Sequence, residues 1–223
     1  MYPLPVKTRL SRPKLTILMS AVVAAASSGP GSAQEPPPIV QPGAPGESSR
    51  VIGAKEAADL SGVQYTDADV KFMQGMISHH AQALEMTALL GTRTESEGMR
   101  KLALRIELSQ EDEIKMMQGW LRARGEEATD IHAHHAHGAT LMPGMLTKEE
   151  MESLAAAKGA AFDRLFLELM IKHHEGALTM VEDLLSQAGA GQDSDIFAFT
   201  SDITADQSME IARMGAMLKE LSR

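Results

Sequence analysis

The chain contains one helical motif twice. Residues 69–86 read DVKFMQGMISHHAQALEM and residues 163–180 read DRLFLELMIKHHEGALTM, and without gaps these 18-residue stretches agree at nine positions: Asp, Phe, Met, Ile, His, His, Ala, Leu and Met. A shorter echo follows each copy, where Gln110, Glu113, Ile114 and Met117 match Gln207, Glu210, Ile211 and Met214. A repeat of this kind marks a supersecondary unit whose apolar face cannot be buried alone. Each copy reads as a helical hairpin. Two such hairpins predict an all-α fold, an antiparallel four-helix bundle with approximate two-fold symmetry.

Local signals place the helices. Apolar residues recur at Val70, Met73, Ile77, Leu84 and Ala88, after Asp67 and Asp69 in a first turn and before Gly91 as a stop. A second helix is predicted from about Glu95 to Arg122. Thr147 with Glu150 fits a capping box, Gly159 marks a break before a long helix over 160–187, and Asp193 or Asp195 caps a last helix ending near Leu221. Only 4% of residues are aromatic, which favours helices over pleated strands. The predicted division is a bundle domain over 54–223, with repeat one at 66–123, a His-rich loop at 126–145 and repeat two at 147–221.

The first 33 residues read as a signal peptide. Lys7, Arg9, Arg12 and Lys14 give a positive start, Leu15 to Ala26 a short apolar run, and Gly31-Ser32-Ala33 a small-residue cleavage site. Residues 34–53, with Pro36, Pro37, Pro38, Pro42 and Pro45, read as an extended Pro-rich linker. Cleavage after Ala33 leaves 17 basic and 30 acidic residues, a net charge of −13, on a protein expected in the periplasm or outside the cell and, once the signal is removed, not on a membrane. That sign argues against nucleic acid, whose phosphates would repel it. With no Cys in an oxidising compartment, there are no disulfides, and a soft-metal site has to be built from thioether and imidazole.

All eight histidines fall into three groups: His79 with His80, His173 with His174, and the loop set His132, His134, His135 and His137. At 100° per residue, Met76, His79, His80, Ala83 and Met86 lie on one side of their helix, as do Met170, His173, His174, Ala177 and Met180. Met stripes are ordinarily core filler, and a lone His is a satisfied polar group. Here an adjacent His pair recurs with Met at the same offsets, which points to metal binding by neutral imidazole. A set of His and Met with few nearby carboxylates suits Cu(I), while imidazole also accepts Cu(II), zinc or nickel, and the last two are further candidates at the His-rich loop. Gln110, Glu113, Gln207 and Glu210 are candidate groups that hold the histidines in orientation across each hairpin, with plain helix–helix pairing as the alternative. Asp69 and Asp163 share the histidine face but sit ten residues earlier and read as local structure.

With these residues in view, both halves resemble the bacterial family known as domain of unknown function 305, whose pattern FxxxMIxHHxxALxM occurs twice, and the resemblance covers roughly residues 66–221. It implies a ferritin-like four-helix bundle that binds copper through Met76, His79, His80, Met86, Met170, His173, His174 and Met180. The His-rich loop is not part of that pattern. The expectation is a non-enzymatic copper-binding protein for sequestration, tolerance or delivery, working with other periplasmic copper-handling proteins, and with a homodimer left open. Two alternatives stand beside it. One is a di-iron or di-manganese oxidoreductase, although such sites use Glu-x-x-His pairs and the places three before the paired histidines hold Met76, Ile77, Met170 and Ile171. The other is a metal-free helical interaction module.

Overall fold

Thr66 starts the first long helix because its hydroxyl accepts the Asp69 N–H at 3.2 Å, while the Asp69 carboxylate accepts the Thr66 N–H at 2.7 Å. This reciprocal cap satisfies two of the donors that every helix start leaves over. The computed structural model describes residues 37–41, 48–59, 64–128 and 141–222. They fall into two units, one ending at Ala58 and one beginning at Asp59.

In the first unit, β1 (Ile39–Gln41) pairs antiparallel with β2 (Arg50–Ile52), Val40 facing Val51, and a single helical turn, α1 (Ala54–Ala57), follows. Part of the stretch read as an extended linker is thus strand-paired. Ile39, Val40 and Val51 stay exposed, so the pairing is a local backbone match without a core.

The second unit is helical: α2 (Asp67–Ala88), the short α3 (Leu90–Arg93), α4 (Glu97–Ala123), α5 (Lys148–Ala156), α6 (Gly159–Leu185) and α7 (Ser194–Leu221). The chain is all-α in class. The four long helices pack as two antiparallel hairpins, α2 with α4 and α6 with α7, joined where α2 meets α6. Helix α2 ends at Ala88, ahead of the predicted stop at Gly91, and Gly91 itself lies inside α3. Thr147 and Glu150 make the reciprocal cap of α5, and the Asp193 side chain accepts from the Asp195 and Ile196 N–H groups at the start of α7. Asp69 does more than cap: its second oxygen accepts the Gly191 N–H at 2.8 Å and ties α2 to the α6–α7 turn.

Two apolar clusters fill the interior. One gathers Phe72, Met76, Met117, Leu121, Leu184, Ile196 and Phe199, and the other Met86, Leu102, Ile106, Phe162, Phe166, Met170 and Met214. Each draws on all four long helices, so burial of both faces of the repeat requires both hairpins. Between the clusters in sequence, on every long helix, lie buried polar residues: His79, His80 and Gln82 on α2, Gln110 on α4, His173 and His174 on α6, and Gln207 and Glu210 on α7.

Candidate metal centre

Adjacent residues on a helix are about 100° apart, so the two histidines of a pair can look into different seams. In each repeat they do. The His79 and His173 rings meet at the α2–α6 contact with centroids 3.9 Å apart and planes inclined by 38°. His80 turns instead to Glu113 on α4, and His174 Nε2 lies 2.7 Å from Glu210 on α7. Within each pair the rings are 6.3 Å apart. The structure places the paired histidines in three contacts, two imidazole–carboxylate pairs and one imidazole–imidazole pair, related by the repeat.

Hydrogen bonding fixes which nitrogens remain. The Pro143 carbonyl can only accept, so His79 donates its Nε2–H to it at 3.0 Å. His80 and His174 set Nε2 against the Glu113 and Glu210 carboxylates in the same way. In a neutral ring the other nitrogen then carries a bare lone pair. The Nδ1 atoms of His79, His80 and His174 and the Nε2 of His173 are buried without a hydrogen-bond partner. Ordinary interiors leave few such groups.

Burial also holds the central rings neutral. Desolvation, then the repulsion that a second positive charge would meet beside His80, lowers the His79 pKa to about 3 against the weaker pull of the Pro143 carbonyl. Desolvation, followed by the repulsion that a second positive charge would meet beside His79, pushes His173 well below its ordinary value. Neutral imidazole with a free lone pair is the metal-ligating form, and anchoring one ring nitrogen on a carboxylate or carbonyl is how metal-ligating histidines are usually oriented.

The four sulfurs flank this layer. Met76 lies in the first cluster with Met180 packed against it, and Met86 and Met170 lie in the second. Met76, Met86 and Met170 are fully buried and Met180 is half-buried. Gln110 and Gln207 are buried with their Oε1 atoms unpartnered, and it is the two glutamates that reach histidines. Carboxylates therefore stand beside His80 and His174, and the expectation of few nearby carboxylates fits only His79 and His173. Among the described residues, no three His, Asp or Glu side chains are gathered as a chelate. An ion taking up two or more of these lone pairs requires thioether partners or small ring rotations. His132, His134, His135 and His137, like residues 1–33 that read as a signal peptide, lie outside the described residues.

Sequence reasoning missed a strap over the central pair. Residues 142–146 cross the α2–α6 contact, with the Pro143 carbonyl on His79 and the Leu146 backbone bonded both ways to Gln82, N–H to Oε1 at 2.7 Å and C=O from Nε2 at 3.0 Å. Gly144, at φ +75°, lies against Gly176 so closely that a Cβ on Gly176 would stand 2.1 Å from the Pro143 oxygen. The available signal was a mid-helix Gly176 where the first copy has Gln82. Gly176→Ala is expected to destabilise the protein by about 1–3 kcal/mol, the usual range for forcing extra bulk into a packed interior. Urea denaturation measures it, and an unchanged midpoint would show that the strap is not seated there.

The fold is similar to that of relatives of known structure. A DUF305 protein of Streptomyces coelicolor described as secreted is 29% identical, with a TM-score of 0.60 over 70% of this chain and 94% of that one. A DUF305 fragment from Deinococcus radiodurans is 32% identical, with a TM-score of 0.61 over 70% and 98%. CopM in its Cu(II)-bound form is 28% identical, with a TM-score of 0.56 over 68% and 96%, and it is also known in Cu(I)- and Ag-bound forms. No curated protein matches the chain. The family model described as Domain of unknown function (DUF305) matches residues 69–218, a span that holds both His-His motifs and all but the ends of the four long helices, and the chain belongs to that family.

Proposed function

We propose that this protein is exported and binds copper at the layer of paired histidines, holding the ion or passing it on rather than transforming a substrate. The observation that carries the reading is the set of four buried imidazoles, each with one ring nitrogen left without a partner. Three of them are oriented through the other nitrogen by Glu113, Glu210 or the Pro143 carbonyl. Neutral imidazole and thioether together select copper over harder ions. The similarity to CopM, seen with Cu(II), Cu(I) and silver, supports the same choice. Other copper-handling proteins of the same compartment are the natural partners for delivery.

Two further observations support export and a non-catalytic role. No helix among the described residues is long and apolar enough to cross a membrane, and one relative is described as secreted. A bridged pair of iron or manganese ions calls for several carboxylates around shared histidines, whereas Glu113 and Glu210 each serve one histidine in separate hairpins. The test is anaerobic titration of the protein with Cu(I) against a coloured chelator. Withdrawal of copper from the chelator at a fixed stoichiometry is expected, and a chelator that keeps all its copper would sink the proposal.

A further inference from the structure

Of the four methionines in the repeated motif, only Met180 reaches the surface, and its surroundings break the two-fold repeat. Gly75 stands where the second copy has Leu169, which leaves a notch in the side of α2. Two side chains cover that notch. The Met142 sulfur lies 3.1 Å, and the Met180 methyl 3.6 Å, from where a Cβ on Gly75 would be. Together with Phe72, Leu184, Lys71 and Asp183 they border an open groove on the protein surface. Met142 is not part of the repeated motif. It is brought there by the strap, whose next residue, Pro143, bonds His79 one helical turn beyond Gly75.

The related position at the far end of the histidine layer is closed. Met86, the counterpart of Met180, is fully buried, and Leu169, the counterpart of Gly75, fills its own space. A branched aliphatic residue would seal the Gly75 notch as well as Met142 does, yet both tips meeting over it are thioethers. Thioether sulfur favours soft cations and has little affinity for harder ones. We infer that Met142 and Met180 form a surface two-thioether site for a soft monovalent cation, Cu(I) or its analogue Ag(I), on the strap whose next residue bonds His79. The inference rests on the soft-cation reading above but not on the histidines being ligands.

The experiment follows the methionine methyl and histidine ring resonances of the whole protein during titration with Ag(I), in parallel with Met142→Leu and Met180→Leu. The Met142 and Met180 methyl signals are expected to shift together. Met142→Leu, which keeps the notch filled with apolar atoms, is expected to abolish the Met180 shift and to weaken binding of one Ag(I) by at least about tenfold, the lower end of what a metal site loses with even an outer partner. Met180→Leu is expected to silence Met142 in the same way. If the Met180 signal responds unchanged in Met142→Leu, or neither methyl moves in the unaltered protein, the two side chains are packing residues and the inference is overturned. Methyl shifts without ring shifts uphold this site and remove the histidine layer from the proposed function. Ring shifts without methyl shifts do the reverse.

Discussion

Changing His79 and His173 together to Ala is expected to lower Cu(I) affinity by at least about a hundredfold, since even the outer partners of a metal ligand are worth 10–100-fold. These two rings meet at the α2–α6 contact, carry no carboxylate, and expose no part of themselves to water beyond 1%. The other pair, His80 and His174, would stay in place on Glu113 and Glu210. Removing two buried rings leaves a cavity, so a loss of binding has to be separated from a loss of fold. A second variant, His79→Leu with His173→Leu, fills most of that volume with apolar atoms and removes the unpartnered nitrogens, at a cost of about 1–3 kcal/mol for the Pro143 carbonyl that loses its donor. It is expected to melt cooperatively, somewhat below the unaltered protein, and still fail to compete for Cu(I). Chelator competition and thermal unfolding followed by circular dichroism check both points. Full copper affinity in a folded Leu variant would exclude the central rings as ligands.

Much of this arrangement was legible in the sequence for a physical reason: caps and apolar periodicity act within a few residues. Thr147 with Glu150, and Asp193 or Asp195, announce helix starts through side chains that reach only three positions along the chain, and Asp67 and Asp69 mark a first turn. The doubled motif carries the hairpins for the same reason. What the sequence did not show depends on long-range packing. Helical spacing put His79 and His80 on one side, yet their 100° offset sends one to His173 and the other to Glu113, and only the seams between neighbouring helices decide which. The strap is held by contacts between residues far apart along the chain, such as Gln82 with Leu146 and Gly144 with Gly176. Its trace in the sequence is negative, a glycine in each copy where the other copy has a large side chain: Gly75 against Leu169, and Gly176 against Gln82.

These departures from symmetry bear on how an ion could reach the centre. The two apolar clusters close the layer at either end, and the helical partners α4 and α7 supply the carboxylates at its flanks. The strap covers the remaining side and takes the Nε2–H of His79. Its grip is a pair of backbone bonds to one glutamine and a glycine-on-glycine contact, a modest hold of about 1 kcal/mol per hydrogen bond. The strap therefore both shields the central rings and fixes the tautomer that leaves His79 Nδ1 free.

The metal-free protein is expected to begin losing stability as pH falls below about 6.5, before most carboxylates titrate. His79 has a pKa near 6.5 in an unfolded chain and about 3 in the folded one, and His173 is lowered in the same direction, both mainly by burial. Because the folded values are depressed, the unfolded chain binds more protons throughout the interval between them. The stability that depends on neutral rings is complete above about pH 6.5 and falls as pH drops towards the folded values. One proton difference changes stability by about 1.4 kcal/mol per pH unit. His79 alone, half-titrated in the unfolded chain at pH 6.5, gives a loss of roughly 2 kcal/mol by pH 4.5, and His173 adds to it in the same direction. That is a sizeable share of the roughly 5–15 kcal/mol typical of a domain. Denaturant midpoints measured at pH 7.5, 6.5, 5.5 and 4.5 should be nearly level at first and then decline steeply. The His79→Leu, His173→Leu variant, which has nothing to protonate in the centre, should lose most of that slope. Equal pH dependence in the two proteins would mean that the central rings are already reached by water and protons in the native state, and the closed layer inferred from their burial would have to be abandoned.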